Sequence, residues 1–453
     1  MPRGIRRTPA RPFSLRPAQV IVAGFAAAIV IGTALLSLGP ATAASGSAPF
    51  TTAAFTSVSA VTVTGLASVD TATYWSTFGQ AVILGLVQLG GLGIVTSASV
   101  LILVISRRVG LRGRLAAQAE VRSTGDLASL RRLTGFIIAF TFTVEAVVVV
   151  ALTLRLWLGL GRSFGEALWQ GLFLGVGAFN QAGFSLYSDN LVGFATDALI
   201  LVPIALAVIV GGVGFPVWLE LRRRPRAPSR WTLHTKLTLV TTFTLLAIGF
   251  FVLTGLEWGN DATLGDDSAA GKLLGGFFAA VTARSAGFNT VDYADMGTDS
   301  LFVTDMLMFV GGGSASPAGG IKVTTLAILF LIVWAEVRSE REVTAFERAI
   351  PAATLRQALT VAVIALNAVV VATLILVASN DLGLSSALFE CVSAFSTTGL
   401  TTGVTGSLDT AGQAILMILM FLGRVGPITL GVALVVRERE RLFSHPEERP
   451  IVG

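Results

Sequence analysis

Four short segments of the chain share a pattern that suits one kind of chemistry. They read Val63-Thr64-Gly65-Leu66, Gln181-Ala182-Gly183-Phe184, Ser285-Ala286-Gly287-Phe288 and Thr397-Thr398-Gly399-Leu400. Each sets one glycine between a small residue and a Leu or Phe. The four glycines lie 118, 104 and 112 residues apart, the near-constant period expected of internal repeats. A small cation that crosses a membrane must exchange its water shell for other oxygens. Backbone carbonyls suit this, because they carry partial charge without a fixed anion to trap the ion. Aiming consecutive carbonyls at one axis needs unusual dihedrals, which glycine adopts without a Cβ clash. Val63, Thr64, Gly65, Gln181, Ala182, Gly183, Ser285, Ala286, Gly287, Thr397, Thr398 and Gly399 are therefore the candidate ion-binding filter, with potassium there as the only metal. The competing reading is that glycine is merely common here, at 49 residues, and lets membrane helices pack closely. Four turns in register count against it.

Such turns need elements that hold them at membrane depth, and composition supplies them. The chain has 453 residues, of which 53% are hydrophobic and 13% charged, with a mean hydropathy of +0.78. Soluble domains carry about 25% charged residues, so most of this chain faces lipid or other apolar helices. Apolar runs long enough to span a bilayer fall at 18–39, 74–105, 133–158, 193–220, 234–256, 300–336, 356–379 and 409–436. Within each successive pair lies a shorter apolar stretch, near 46–62, 163–180, 268–282 and 383–397, which ends at one of the glycine turns. Irregular backbone at membrane depth is tolerated where it lines a cavity or is buried in protein. The expected fold is an all-α polytopic membrane protein with four helix–pore loop–helix repeats. It has eight spanning helices and four re-entrant pore helices in a pseudo-fourfold arrangement around one pore.

The pattern divides the chain into a basic N-terminus 1–17, repeats at 18–106, 107–222, 223–338 and 339–437, and a tail 438–453. Arginines cluster before residue 17 and at 107–132, 222–236, 338–356 and 437–441, whereas the intervening loops hold mainly Arg155, Arg162 and Lys272. The positive-inside rule then puts both termini in the cytoplasm and brings all four pore loops in from the outside. The half-helices would aim their carboxyl ends, each carrying about −0.5 charge, at the pore axis.

Two further features interrupt apolar runs. Gly311-Gly312-Gly313-Ser314-Ala315-Ser316-Pro317-Ala318-Gly319-Gly320-Ile321-Lys322 breaks the run 300–336. Glycine costs a helix interior about 1 kcal/mol and proline about 3, so this segment should unwind. It is read as a mobile loop below the filter, against the simpler alternative of a kink. Arg424, between apolar neighbours, should face the protein interior or a water cavity. It is either a barrier in the ion path or one half of an ion pair with Glu390 or Glu145. The candidate gate comprises Gly311, Gly312, Gly313, Ser314, Gly319, Gly320, Lys322 and Arg424. Cys391 is the single cysteine and the two histidines are far apart in sequence, so no Cys or His metal site is expected. Gly271-Lys272 resembles the end of a phosphate-binding loop, but Leu273 replaces the hydroxyl residue. No nucleophile–base set stands out, and enzymatic activity is not expected.

At this point the chain resembles the Trk/Ktr/HKT superfamily of potassium transporters, over nearly its whole length. The resemblance rests on Ala60–Leu66, Ala283–Thr290, Gly311–Val323 and Phe421–Pro427, and without an extra helix pair before the first repeat it is closest to the Ktr type. It implies potassium uptake across the plasma membrane driven by the membrane potential, often stimulated by sodium. It also implies a homodimer with one pore per subunit, no cofactor in this chain, and regulation by a separate cytoplasmic nucleotide-binding ring (KtrA-like). The basic loops and the tail ending Ile451-Val452-Gly453 are candidate docking or dimer surfaces. The alternative is a secondary cation-coupled symporter with a mid-membrane site, which would also break helices with glycine. The discriminator is that all four units here are expected to share one orientation.

Overall fold

A computed structural model describes residues 17–108 and 127–436. The arginines before residue 17, the basic connection 109–126 and the tail with Ile451–Gly453 lie outside the described residues. The described chain is helical apart from one two-residue hairpin, β1 (Thr344–Ala345) with β2 (Arg348–Ala349). Its first helices are α1 (Pro17–Leu36), α2 (Phe50–Thr62) and α3 (Thr77–Arg108). Next come α4 (Leu127–Leu154), α5 (Phe164–Asn180), α6 (Ala198–Val213) and α7 (Phe215–Arg223). Then follow α8 (Leu233–Glu257), α9 (Ala269–Thr282), α10 (Thr298–Phe309) and α11 (Val323–Val337). The last three are α12 (Ala352–Asn380), α13 (Leu384–Ser396) and α14 (Thr410–Val436).

The short helices α2, α5, α9 and α13 are the ones expected to stop inside the membrane. Two of them begin at hydroxyl caps: Ser163 Oγ accepts the Glu166 N–H, and Ser268 Oγ accepts that of Gly271. Three of them pack against both the preceding and the following helix, α2 on α1 and α3, α5 on α4 and α6, and α13 on α12 and α14, whereas α9 packs on the preceding α8. Contacts then run on from group to group. α3 meets α5, α6 meets α9, α10 meets α13, and α14 returns to α2. The packing is closed, which leaves the glycine turns at its centre.

By length and composition, three helical stretches among the described residues can cross a membrane unaided: Leu133–Gly159, Leu233–Glu257 and Ala352–Asn380. The expected single run 193–220 is broken. α6 and α7 meet at 90° across Gly214, whose φ is +93° and which Pro216 follows at the start of α7. Positive φ ends α6, and the proline ring suits a first helical turn. The run 300–336 opens as expected, with α10 ending at Phe309 and α11 beginning at Val323.

The helices approach closely where glycine allows it. A methyl group on Gly423 of α14 would overlap the Phe395 carbonyl of α13, whereas one on Gly85 of α3 would meet nothing within 4 Å. Gly423→Val should therefore lower the thermal unfolding midpoint in detergent, through about 1–3 kcal/mol of overpacking. Gly85→Ala, which removes only a helix-interior glycine, should not lower it.

Candidate functional site

The four turns have one backbone design. α2, α5 and α13 each end at a residue in the left-handed region: Val63 at φ 56°, Gln181 at 63° and Thr397 at 49°. Their amides close the helix end in pairs. Val63 and Thr64 donate to Ala60 O and Ser59 O at 3.1 and 2.8 Å, Gln181 and Ala182 to Ala178 O and Gly177 O at 3.2 and 2.8 Å, and Thr397 and Thr398 to Ala394 O and Ser393 O at 3.2 and 2.9 Å. This is the usual closure of a helix by a glycine, made here without one. In α9 the chain stays coiled longer, and Ser285 at φ 74° holds the equivalent place. Two residues later comes the glycine, also at positive φ: Gly65 at 93°, Gly183 at 67°, Gly287 at 75° and Gly399 at 95°. The residue between the two does not share it, so handedness alternates across each turn. That alternation aims successive peptide groups to one side, unlike a strand.

The turns meet in chain order and close on themselves. A methyl on Gly65 would overlap the Ala182 carbonyl oxygen, and one on Gly183 would lie 2.9 Å from the Gly287 α-carbon and 3.1 Å from Ala286 O. A methyl on Gly287 would overlap Thr398 O, and one on Gly399 would overlap Thr64 O. Four carbonyl oxygens, of Thr64, Ala182, Ala286 and Thr398, therefore lie at the contacts between turns. Their residues are fully buried. Among the described residues, no donor serves any of the four oxygens. Buried carbonyls are nearly always paired, so a ring of unpaired ones calls for a partner from outside the protein, and a dehydrated cation fits. Side chains offer no competing centre: no group of three or more His, Cys, Asp or Glu among the described residues could hold a metal.

Side chains brace the turns in two styles. In turns one and four, Ser59 Oγ accepts from Gly65 N and Ser393 Oγ from Gly399 N, both at 3.0 Å. Thr62 Oγ1 pairs with Thr64 Oγ1 at 2.8 Å, and Ser396 Oγ with Thr398 Oγ1 at 2.9 Å. Turns two and three reach outward instead. Gln181 Nε2 donates to Val208 O at 2.9 Å, and Ser285 Oγ donates towards Ser396 O and Thr397 O at 3.1 and 3.2 Å. Beyond the turns, Asp70 accepts from Ser188 Oγ at 2.6 Å, which ties the loop after turn one to the loop after turn two. Burial pushes the Asp70 carboxyl up, but hydrogen bonds from Ser188, Thr73 and Ala72 outweigh it and hold it below its ordinary value.

The candidate gate residues come together against turns three and four. Gly319 N donates to Ser285 Oγ at 3.0 Å, and methyls on Gly319 and Gly320 would crowd Thr397 and Ser396. The loop is fastened on its other side to the α6–α7 bend, with Gly313 N on Gly212 O at 2.7 Å and Phe215 N on Ala315 O at 3.4 Å. Its ends join through Gly311 N on Ile321 O at 2.9 Å. Lys322 Nζ donates to Ala318 O at 2.5 Å. Ser314 pairs with Thr324 at 3.2 Å. Arg424 is buried, and its Nη1 donates to Pro317 O, whereas its Nε and Nη2 have no partner. It pairs with neither carboxylate considered from the sequence. Glu390 takes its bonds from Thr401, Thr402 and Thr405, and Glu145 from Gln88 and Asn180.

One residue of this site was not singled out from the sequence. Arg284 is buried within turn three, with Nη1 on Thr242 O at 3.2 Å and Nη2 on Gly311 O at 3.1 Å. It links turn three to the start of the loop. An arginine between the apolar stretch 268–282 and Phe288 is the same kind of anomaly that picked out Arg424.

Residues 7–445 match the TrkH family, whose description is cation transport protein. The Ktr system potassium uptake protein B of Bacillus subtilis is 38% identical over 437 residues, covering 96% of this chain and 97% of that protein. The protein of the same name from Vibrio alginolyticus is 34% identical over 436 residues, 96% of this chain and 94% of its own. Potassium/sodium uptake protein NtpJ of Enterococcus hirae is 33% identical over 445 residues, 97% and 98% of the two chains. The crystal structure of the potassium transporter TrkH from Vibrio parahaemolyticus has the same fold, with a TM-score of 0.68 at 18% identity over 94% of this chain and 86% of that one.

Removing the Arg284 guanidinium leaves the buried Gly311 carbonyl without its donor, at about 1–3 kcal/mol, and takes a second donor from Thr242 O within α8. Arg284→Met should lower the thermal midpoint and speed maleimide labelling of a Ser314→Cys reporter in the loop. Unchanged labelling would show that the loop is held without this arginine.

Proposed function

The chain belongs to the TrkH family of cation transport proteins, and from that premise we propose that it takes up potassium across the plasma membrane through a gated, channel-like pore. The family is one of transport proteins, not of enzymes. Potassium is the substrate, and the residues proposed to replace its water are the main-chain oxygens of Val63–Gly65, Gln181–Gly183, Ser285–Gly287 and Thr397–Gly399. One observation carries this reading: the oxygens of Thr64, Ala182, Ala286 and Thr398 are set at the contacts of four adjoining turns, buried and without a donor. The four half-helices point their carboxyl ends at the same place, which favours a cation.

The proposal includes four helix–pore loop–helix repeats with the boundaries drawn from the sequence, eight spans, and both termini in the cytoplasm. Its support is the closed packing order of the helices and the clustering of arginines at the expected repeat boundaries. The loop Gly311–Gly320, with Lys322 and Arg424, is proposed as the gate, because it is bonded to turn three, packed against turn four and bonded to two cationic side chains at once. Relatives carry the name of a Ktr system, which supports a separate cytoplasmic nucleotide-binding ring as regulator. A homodimer and stimulation by sodium complete the proposal; the printed name potassium/sodium uptake protein of one relative bears on the second. A secondary symporter has less support, because the four glycine turns adjoin one another rather than pairing in two halves.

The test is rubidium flux into liposomes holding the purified protein under an inside-negative potential, with sodium and potassium as competitors. The expected result is saturable or channel-like rubidium uptake, blocked by potassium far better than by sodium. Gly65→Ser and Gly287→Ser, whose side chains would enter the space of Ala182 O and Thr398 O, should each reduce uptake at least about tenfold, the effect of roughly 1.4 kcal/mol. Wild-type flux and preference in both variants would overturn the filter. Arg424→Ala, or a deletion within Gly312–Gly319, should raise flux in folded protein. Unchanged flux in both would remove the gate.

A further inference from the structure

The residue three before the glycine differs from turn to turn: Thr62, Asn180, Arg284 and Ser396. In turns one and four it is a hydroxyl that bonds within its own turn. Turn two has no such partner, because Ala182 stands where Thr64 and Thr398 stand, and Gly177 where Ser59 and Ser393 stand. Asn180 reaches out of the turn instead. Its Nδ2 lies 2.9 Å from Glu145 Oε1 on α4, 2.9 Å from Gln88 Oε1 on α3 and 3.0 Å from Val176 O. Gln88 Nε2 donates in turn to Glu145 Oε2 at 3.3 Å. On the far side, Gly91 of α3 is pressed against Asn180 Oδ1, so closely that a methyl there would overlap it. Asn180 is 1% exposed and Glu145 3%. Neither ion pair among the described residues involves Glu145.

We propose that Glu145 is a positioning residue for turn two, its carboxyl oxygens holding the Asn180 and Gln88 amides so that the Ala182 carbonyl stands at its place in the ring. The inference rests on the reading of turn two as part of the ion filter. Asn180 is the last residue of α5 and adjoins Gln181, whose positive φ starts the turn. A carboxylate has acceptors only, and here both oxygens face amide donors, so the arrangement has one sense. The carboxamide of a glutamine at 145 would face one of those donors with a donor of its own. The Asn180 side chain would turn to escape it, and the backbone after it would follow.

The proposal predicts which change repairs the damage. Exchanging the two long side chains, Gln88→Glu together with Glu145→Gln, returns one carboxylate and one amide to the network, again with an acceptor on each for Asn180. The measurement is the potassium-over-sodium preference of rubidium flux in liposomes, using full-length protein that is monodisperse in detergent. Glu145→Gln should lower that preference by roughly tenfold, the scale of one hydrogen bond to a charged group, and the exchange should restore most of it. A purely structural role would change the amount of folded protein and leave preference intact. Wild-type preference in folded Glu145→Gln would overturn the proposal, as would a folded exchange variant that stays as unselective as the single one. If the single variant yields no monodisperse protein, the exchange alone decides: recovered protein with wild-type preference supports the proposal, and its absence overturns it. Gly183→Ser separates the two levels. If it too leaves preference unchanged, the filter reading of turn two is wrong; if it abolishes preference while Glu145→Gln does not, only the role of Glu145 falls.

Discussion

Buried carbonyl oxygens without hydrogen-bond donors are the constraint around which this structure is arranged. In a folded protein an unpaired buried carbonyl is costly, and the turns bring at least four together. Such a centre cannot hold itself in shape by its own hydrogen bonds, because those oxygens must stay free. The shape has to be imposed from behind. That is the task of the left-handed residues Val63, Gln181, Ser285 and Thr397, of the hydroxyls of Ser59 and Ser393, and of the glycines whose missing side chains let the turns touch. Positive φ at β-branched Val63 and Thr397 is rare, at a cost of about 1–3 kcal/mol each. It persists because two helix-closing hydrogen bonds and a buried setting hold each of them.

The two bracing styles divide the ring. Turns one and four are nearly alike, with serine and threonine serving their own backbone, and they adjoin through Gly399 and Thr64. Turns two and three reach outward, to α3 and α4 in one case and to the broken run α10–α11 in the other. Turns one and four thus brace their own backbone, whereas turns two and three are braced by side-chain bonds to other elements, and turn four also has the loop packed against Ser396 and Thr397. The ties of turn three, Arg284 to Gly311 and Ser285 to Gly319, join it to both ends of the loop. A displacement of that loop reaches the third turn directly and the first only through others.

Much of this was legible in the residues, for physical reasons. Long apolar runs identify membrane helices because lipid admits little else, and a glycine in each turn is visible because no other residue tolerates the contact that Gly287 makes with Thr398. The unwinding at Gly311–Gly320 follows from glycine and proline alone. What stayed hidden depends on tertiary context. Nothing in Val63 or Thr397 announces a left-handed backbone, because these residue types avoid it in isolation. The 90° bend at Gly214 falls inside the run 193–220, which reads as one continuous span by its apolar residues. For Arg424 burial was foreseeable, but its partner was not: a charged side chain suggests a carboxylate, whereas Glu390 and Glu145 are occupied by neutral donors and the arginine meets the Pro317 carbonyl. Arg284 lies just past the end of α9, where an arginine ordinarily faces solvent, and its burial depends on the tertiary contacts with Thr242 O and Gly311 O.

On the proposed reading, the same charges explain why a loop can act as a gate without blocking the path by bulk. Four half-helix ends, about −0.5 each, place about −2 of charge at the filter. Arg424 and Lys322 lie on the loop's side, bonded to the successive carbonyls of Pro317 and Ala318 and within electrostatic reach of each other. The charge they carry is opposite in sign. A cation leaving the ring therefore moves from a region that favours it to one that repels it, across the thickness of a single loop. The two cationic side chains are held there by that loop's own carbonyls, and Arg424 has two further nitrogens with no partner. If the loop shifts, those anchors move with it, and water or other oxygens can take the guanidinium. The barrier then falls through relocation of charge, which needs a smaller displacement than clearing the loop from the path.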